Sequence, residues 1–391
     1  MKTDQTYLQW PYFTKAHQKL ARDIEIWATQ YIQNVPYDRA DTDKICRTLV
    51  GQLGAAGWLD YAVPAATGDM ADFDLRSFCL MREILARYDG RADLAFAMQA
   101  LGSAPITLFG SDKQKDLYLQ AIGQGKRIAA FALSEPGAGS DVGALTTFYR
   151  REDDHFVLNG RKTWISNGGI ADVYIIFARE EGSRGTAGLS AFIVEADGPG
   201  LDDTSQRIDI SAPHPMAEIT LSNCRIGQQQ LIGEAGQGFK YAMATLDIFR
   251  SSVGAAALGF ARRAQHEVLG RVTERHIQGD KMSALQMIQA KIGDMATQID
   301  ASALLIYRAA WQWDQTHERI TREAAMAKAF ATEAAQQIVD DAVQIFGAAG
   351  VEYGHVIERL YREVRPLRIY EGATEIQRII TGRSTLSALT S

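Results

Sequence analysis

The apolar residues of this 391-residue chain change their spacing twice. From about Phe13 to Gly125 they recur at helical intervals, as where Leu75, Phe78, Leu80, Met81, Ile84 and Leu85 gather along one side before Asp89-Gly90 stops the run. After Gly125 come short apolar runs, Phe156-Val157-Leu158, Val173-Tyr174-Ile175-Ile176-Phe177, Ala191-Phe192-Ile193-Val194 and Ile219-Thr220-Leu221, parted by turn formers such as Asp153-Asp154 and Asn159-Gly160. That is the pattern of strands, and it ends near Ile232. Beyond Gly238 helical spacing returns, at Leu285, Ile288, Ile292, Met295 and Ile299 and again in a helix over about 322–346 that stops at Gly347. The predicted fold class is α+β, with helical segments over 1–125 and 236–391 flanking a β segment over 126–235. Small residues at Gly254-Ala255-Ala256-Ala257-Leu258-Gly259 predict close helix approach, because little side-chain volume separates the backbones.

Composition narrows the functions open to such a chain. Its 46% hydrophobic content is enough to build a large core. The 41 basic and 47 acidic residues are spread along the sequence, giving a net charge of -6 and no basic block to attract a nucleic acid. Cys46, Cys79 and Cys224 are far apart and odd in number, which fits neither a disulfide framework nor a zinc site and predicts a reducing cytoplasm. The N-terminus, MKTDQTYLQWPYF, lacks the charged and apolar regions of a signal peptide. No apolar run approaches the roughly 20 residues that cross a bilayer, so no membrane span is expected.

Three segments suggest chemistry. In Ala132-Leu133-Ser134-Glu135-Pro136-Gly137-Ala138-Gly139-Ser140-Asp141, proline and glycines shape a loop whose N–H groups suit an anion or a heterocycle, although such a loop is also an ordinary turn. Asn159-Gly160-Arg161-Lys162-Thr163-Trp164-Ile165-Ser166-Asn167-Gly168 reads as a turn into a strand with Trp164 and Ser166 on one face; the indole either covers an aromatic cofactor or fills the core. In Tyr370-Glu371-Gly372-Ala373-Thr374-Glu375-Ile376-Gln377-Arg378, Glu371 is either a functional carboxylate or the cap of the following helix. His214 reads as a loop residue and no metal is expected, since no partner lies at ligand spacing.

Together and in this order, these segments make the chain resemble the acyl-CoA dehydrogenase family along nearly its whole length. The resemblance implies an N-terminal α-helical domain, a middle β-barrel-like domain and a C-terminal four-helix bundle, with FAD as cofactor and an acyl-CoA as substrate. By resemblance Phe131, Leu133, Ser134, Trp164 and Ser166 contact the flavin end of FAD, and Thr374 and Glu375 are cofactor-binding positions. Arg275, Gln286, Gln344 and Gly347 match the positions that hold its ADP half, partly across a subunit boundary. Ser140, Asp247, Arg250 and Gly372 match substrate positions, the two charged residues being alternatively a structural ion pair. Glu371 matches the catalytic base that takes the α-proton while the β-hydrogen leaves as hydride to the flavin. A second base position of the family aligns with Phe249, which cannot abstract a proton.

The sequence also departs from the family. Gln278-Gly279 stands where Phe-Gly is usual, Ala348 follows Gln344-Ile345-Phe346-Gly347 in place of a second glycine, and Ala373 replaces a threonine. The segment Ile210-Ser211-Ala212-Pro213-His214-Pro215-Met216-Ala217-Glu218 differs from the Ser-Asp-Thr pattern of straight-chain enzymes, which favours a short, branched, ring-bearing or arylpropionyl acyl group. The expectation is dehydrogenation with electrons passed to an electron-transfer flavoprotein by a homotetramer. The alternatives are an oxidase or other flavin reaction on the same scaffold, and a non-catalytic acyl-CoA-binding protein.

Overall fold

The computed structural model describes residues 4–37, 39–64 and 73–387. The first helices are α1 (Lys15–Tyr31), α2 (Thr42–Ala55), α3 (Leu75–Tyr88), α4 (Gly90–Phe109) and α5 (Asp112–Gly123). Strands β1 (Ala129–Ala132), β2 (Phe148–Glu152), β3 (His155–Ser166), β4 (Val173–Glu180), β5 (Leu189–Glu195), β6 (Leu201–Asp202), β7 (Met216–Gly227) and β8 (Leu231–Ile232) follow. Next come α6 (Gly238–Glu274), a hairpin of β9 (His276–Ile277) and β10 (Asp280–Lys281), and helices α7 (Gln286–Thr316), α8 (Thr321–Phe346), α9 (Val356–Leu367) and α10 (Thr374–Ser387).

The elements form two units. One comprises Met1–Tyr37, Asp74–Asp93 and Asp247–Ser391; the other comprises Asp38–Phe73 and Leu94–Leu246. The continuous helical segment expected at the N-terminus is thus shared out by long-range packing. In the first unit, a Cβ at Gly259 of α6 would overlap the Glu83 carbonyl of α3, and Phe78 meets Phe249 edge-on with ring centroids 5.4 Å apart. Only glycine lets the backbones come that close. In the second unit, a Cβ at Gly102 of α4 would lie 2.7 Å from the Ala129 Cβ of β1, and the Gln99 amide donates to the Arg127 carbonyl at 2.8 Å.

The middle strands make one mixed sheet in the order β6-β7-β3-β2-β4-β5-β8, with β1 parallel to β4. Along β4 the whole run Val173–Ala178 is buried, which explains why it is continuously apolar rather than alternating. The predicted turn at Asn159-Gly160 is absent: both residues lie inside β3, whose pairing with β7 shifts between Leu158 and Gly160. The hairpin turn falls at Asp153-Asp154, and Gly160 serves the bulge with φ 146°.

Helix ends follow local chemistry. Asp74 caps α3 by accepting from the Arg76 and Ser77 N–H groups, and Gly347 ends α8 at φ 65°, as its sequence predicts. Leu285 lies just outside α7 and is exposed, so the buried stripe of that helix starts later and includes Met295 and Ile299. One expectation needs correction: α4 is long and apolar enough by composition to cross a membrane. In its most apolar window 83% is buried inside the protein, the mark of a core helix.

Candidate active site

In the second unit, β1 runs into the loop that begins at Leu133 and lies against β3. The Thr163 N–H donates to the Ser134 carbonyl at 3.0 Å, and the Lys162 ammonium donates to the Leu133 carbonyl at 3.0 Å and to Glu135 at 2.8 Å. Glu135 also accepts from the Thr146 and Thr147 N–H groups and the Thr146 hydroxyl, so the carboxylate organises the loop from within. Between Glu135 and Ala138 two backbone bonds of 3.0 Å tighten the turn, and no atom of the described residues lies within 4 Å of where a Cβ would stand at Gly137 or Gly139. Ser140 is exposed at the end of this loop.

Trp164 is not a core residue. It is 53% exposed and sits at φ 54°, in the irregular stretch where the register of β3 against β7 shifts between Lys162 and Ile165. A left-handed backbone costs a non-glycine residue about 1–2 kcal/mol, and an exposed indole forgoes the burial that usually repays its size. The fold thus presents a broad aromatic face at some expense, which suits a planar ligand. Ser166, two residues on, is half-buried with its Oγ 3.3 Å from Nε2 of His214. Burial pulls His214 down to about 4, so the ring is neutral near pH 7. It lies in a loop, as expected, and no cluster of metal-ligating side chains occurs among the described residues. Phe131, half-buried, packs its ring 5.0 Å from that of Phe177.

In the first unit, Glu371 precedes α10 by three residues and does not cap it. Its φ is 51°, that of Gly372 is 93°, and its Oε2 is buried with no hydrogen-bond partner among the described residues. Burial raises the Glu371 carboxyl above its ordinary value; Arg82, Lys328 and Arg250 oppose the rise, and Asp93 adds to it. Arg82 is itself gripped by Asp93 through two 2.8 Å bonds and donates to Ser252 at 3.0 Å. Lys328, fully buried, donates to the Gly372 carbonyl at 2.7 Å, which also accepts from the Gln377 amide at 2.9 Å. Nothing in the spacing of the sequence singled out Arg82, Asp93 or Lys328, because charged residues at helical intervals look like surface positions until the packing is known.

The ion-pair reading of Asp247 and Arg250 is realised. Asp247 accepts from Arg250 at 2.7 Å on one oxygen and from Arg319 and Thr321 on the other, so protein donors occupy both oxygens. Arg250 also feels the charge of Glu371, which favours its cation. Thr374 is buried and donates its hydroxyl to Glu333 at 2.8 Å, whereas Glu375 is exposed. Arg275 and Gln286 flank the β9–β10 hairpin and are exposed, as are Gln344 and Gly347 at the end of α8. Gln278 and Gly279, at φ 53° and 95°, form the turn of that hairpin, which accounts for a glycine there independently of any adenine contact.

One unit carries an exposed aromatic cradle and the other a carboxylate with a buried oxygen, the equipment of an enzyme that binds a planar redox group and moves a proton. Three domains of the acyl-CoA dehydrogenase family match the chain: the N-terminal domain over residues 14–126, the middle domain over 130–224 and the C-terminal domain over 236–386. The 3-(aryl)acrylate reductase of Clostridium sporogenes is 37% identical over 384 residues, covering 96% of this chain and 100% of its own. Among solved structures, one concerning the electron transferring flavoprotein of Acidaminococcus fermentans and flavin-based electron bifurcation contains a chain 35% identical, with a TM-score of 0.89 and coverage of 96% and 98%. An acyl-CoA dehydrogenase from Bacillus anthracis complexed with FAD is 29% identical, with a TM-score of 0.89 and coverage of 97% of this chain and 68% of that one. The chain belongs to the acyl-CoA dehydrogenase family. It is an oxidoreductase.

Proposed function

We propose that this enzyme interconverts an acyl-CoA thioester and its 2-enoyl-CoA with FAD as cofactor, Glu371 acting as the base at the α carbon. The observation that carries this reading is the Glu371 carboxylate: Oε2 is buried without a partner among the described residues, and its proton affinity is raised by burial. A base for a weakly acidic proton beside a thioester needs that elevation, while Arg82, Lys328 and Arg250 keep ionisation within reach.

FAD, which the Bacillus anthracis relative binds, supplies a hydride acceptor for the β-hydrogen when bound. On this reading Trp164 would cover the isoalloxazine, Phe131, Leu133, Ser134 and Ser166 would line its surroundings, and Thr374 and Glu375 are assigned to FAD. Arg275, Gln286, Gln344 and Gly347 are assigned to the ADP half. Their exposure is compatible with completion by a second subunit, and exposed apolar side chains on the C-terminal helices, including Met287, Trp311 and Phe330, support a homotetramer. Ser140, Gly372 and Arg250 are assigned to the acyl-CoA; Asp247 orients Arg250. Glu371 takes the α-proton, and its N–H helps to polarise the thioester carbonyl.

Within the range of short, branched, ring-bearing and arylpropionyl groups, the Clostridium sporogenes relative favours the last, since a 3-(aryl)acrylate is the α,β-unsaturated partner of an arylpropionate. An electron-transfer flavoprotein is the proposed electron partner, supported by the Acidaminococcus fermentans neighbour. The proposed location is the cytoplasm, where the buried thiols Cys46, Cys79 and Cys224 stay reduced.

The test is an anaerobic spectral titration of the FAD-containing protein with straight, branched, alicyclic and arylpropionyl-CoA thioesters. Rapid bleaching by arylpropionyl-CoA is expected, and Glu371→Gln is expected to keep FAD and slow bleaching by several orders of magnitude, because shape is retained while the proton acceptor is lost. Undiminished bleaching in that variant would remove Glu371 from its role. Fast oxygen consumption by the reduced protein would move the enzyme to the oxidases.

A further inference from the structure

We propose that Lys328 is a positioning residue for the base: its ammonium fixes the Gly372 carbonyl and supplies the uncommitted positive charge that keeps Glu371 ionisable. The inference rests on the reading of Glu371 as the base and assigns a role to a residue that the site has so far lacked.

Three cations act on Glu371, and they differ in how their charge is spent. Arg82 is held by both oxygens of Asp93. Arg250 is bound to Asp247. Among the described residues no carboxylate lies within ion-pair distance of Lys328, whose ammonium bonds the Gly372 carbonyl at 2.7 Å. Its charge is therefore the one that an adjacent carboxylate does not cancel.

The placement costs free energy. Lys328 is fully exposed to the penalty of burial, at 0% solvent exposure in the alanine-rich helix α8, and desolvation pulls its ammonium down to about 8. A methionine would fill such a site without that penalty. The Glu371 charge is the largest influence holding the proton on Lys328, so the two groups sustain each other's ionisation. The other charges that act on Lys328 are Arg250, which disfavours its cation, and Glu333 and Glu375, which favour it. Glu333 is already engaged by Arg368 and by the Thr374 hydroxyl, and Glu375 is exposed at the start of α10.

Geometry adds a second effect. Glu371 adopts a positive φ, which a non-glycine residue holds only under external restraint, and Gly372 follows it in a conformation open to glycine. Lys328 from α8 and Gln377 from α10 both donate to the Gly372 carbonyl, and Gln377 also reaches the Glu371 carbonyl at 3.2 Å. The backbone that carries the carboxylate is consequently held through its carbonyls, while Oε2, without a hydrogen-bond partner among the described residues, is left to accept a proton.

The test follows the protonated-carboxyl stretch of Glu371 in infrared spectra of the FAD-containing protein across pH, with no substrate present, the band being assigned by its loss in Glu371→Gln. Lys328→Met is expected to raise the proton affinity of Glu371 at least about tenfold, as loss of a neighbouring opposite charge does. Lys328→Arg keeps the cation and is expected to hold the midpoint close to the wild type. The acidic limb of the anaerobic bleaching rate with arylpropionyl-CoA should move with the infrared midpoint. If Lys328→Met does not fold, Lys328→Gln, which retains a donor, carries the same expectation. An unchanged midpoint in a folded neutral variant overturns the proposal, whatever happens to thermal stability. Full bleaching by Glu371→Gln overturns the base assignment instead, and leaves the infrared comparison to judge Lys328 separately.

Discussion

Lys162 on β3 and Glu135 in the loop after β1 form a 2.8 Å ion pair in which the side chains are 0% and 2% exposed. Burial pulls Lys162 down to about 8, whereas Glu135 falls to about 2 because Lys162 and its hydrogen bonds outweigh its own burial. Both are ionised near pH 7, and the pair ties the loop to the strand two residues before Trp164. Breaking a buried pair from one side strands the other charge at about 3–5 kcal/mol. Lys162→Met is expected to lower stability by that order and to release FAD, and Lys162→Met with Glu135→Gln to recover part of the loss. Denaturant titrations and the flavin-to-protein absorbance ratio measure both effects; a single variant within about 1 kcal/mol of wild type would mean that the pair holds nothing in place.

Trp164 separates ligand binding from folding. Because its indole is half exposed and its φ is 54°, Trp164→Gly removes little packing and relaxes the backbone. The stability of the FAD-free protein is expected to stay within about 1 kcal/mol of wild type, while FAD retention falls sharply. A core tryptophan would instead cost about 3–5 kcal/mol on truncation. Equilibrium unfolding after flavin removal, set beside FAD binding measured by fluorescence quenching, decides between the two.

At Gly372 the backbone conformation disfavours a side chain, and a Cβ would also have to move the neighbouring amide. With φ at 93°, a Cβ there would overlap Nε2 of Gln377, the group that bonds the Glu371 and Gly372 carbonyls. Gly372→Ala should therefore shift the base without removing it. A displacement of this kind costs about 100-fold in rate, so rapid-mixing experiments should find FAD bound and bleaching slowed by that order. Bleaching at the wild-type rate would show that the Gly372 turn does not set the position of Glu371.

The sequence disclosed what depends on local spacing. The strand Val173–Glu180 and the stop at Gly347 were legible because β-branched runs and a glycine after a helical stripe carry their meaning within a few residues. The Asn159-Gly160 pair misled because a glycine needed at a bulge looks the same as one needed at a turn, and only the β7 partner strand tells them apart. Glu371, Trp164 and Ser166 stood out by resemblance, but their surroundings did not. Lys162 meets Glu135 across 27 residues and Lys328 meets Gly372 across 44, and no periodicity reports such pairings. The division of the first helices between two units has the same origin: Gly259 against Glu83 and Gly102 against Ala129 are fits between surfaces, which a hydrophobic pattern does not encode.

His214 makes the protein sensitive to acid in a defined window. Buried beside Ser166, its ring is held neutral, with a folded value of about 4 against an ordinary 6.5. The unfolded chain therefore binds more protons than the folded one between those values, so the stability present above pH 6.5 is lost as pH falls toward 4. The depression corresponds to about 3 kcal/mol. Other buried carboxyls contribute in the opposite sense, Asp314 being raised to about 7 and Glu363 to about 8 by burial, so the comparison must be between proteins that differ only at this ring. His214→Gln keeps a polar side chain and cannot titrate. Urea unfolding at a series of pH values should give a difference between wild type and variant that is constant above pH 6.5 and moves by about 3 kcal/mol in favour of the variant by pH 4. A difference that stays flat throughout would mean that the folded protein accepts a proton at His214 as readily as the unfolded chain does, and that the ring beside Ser166 is not held neutral.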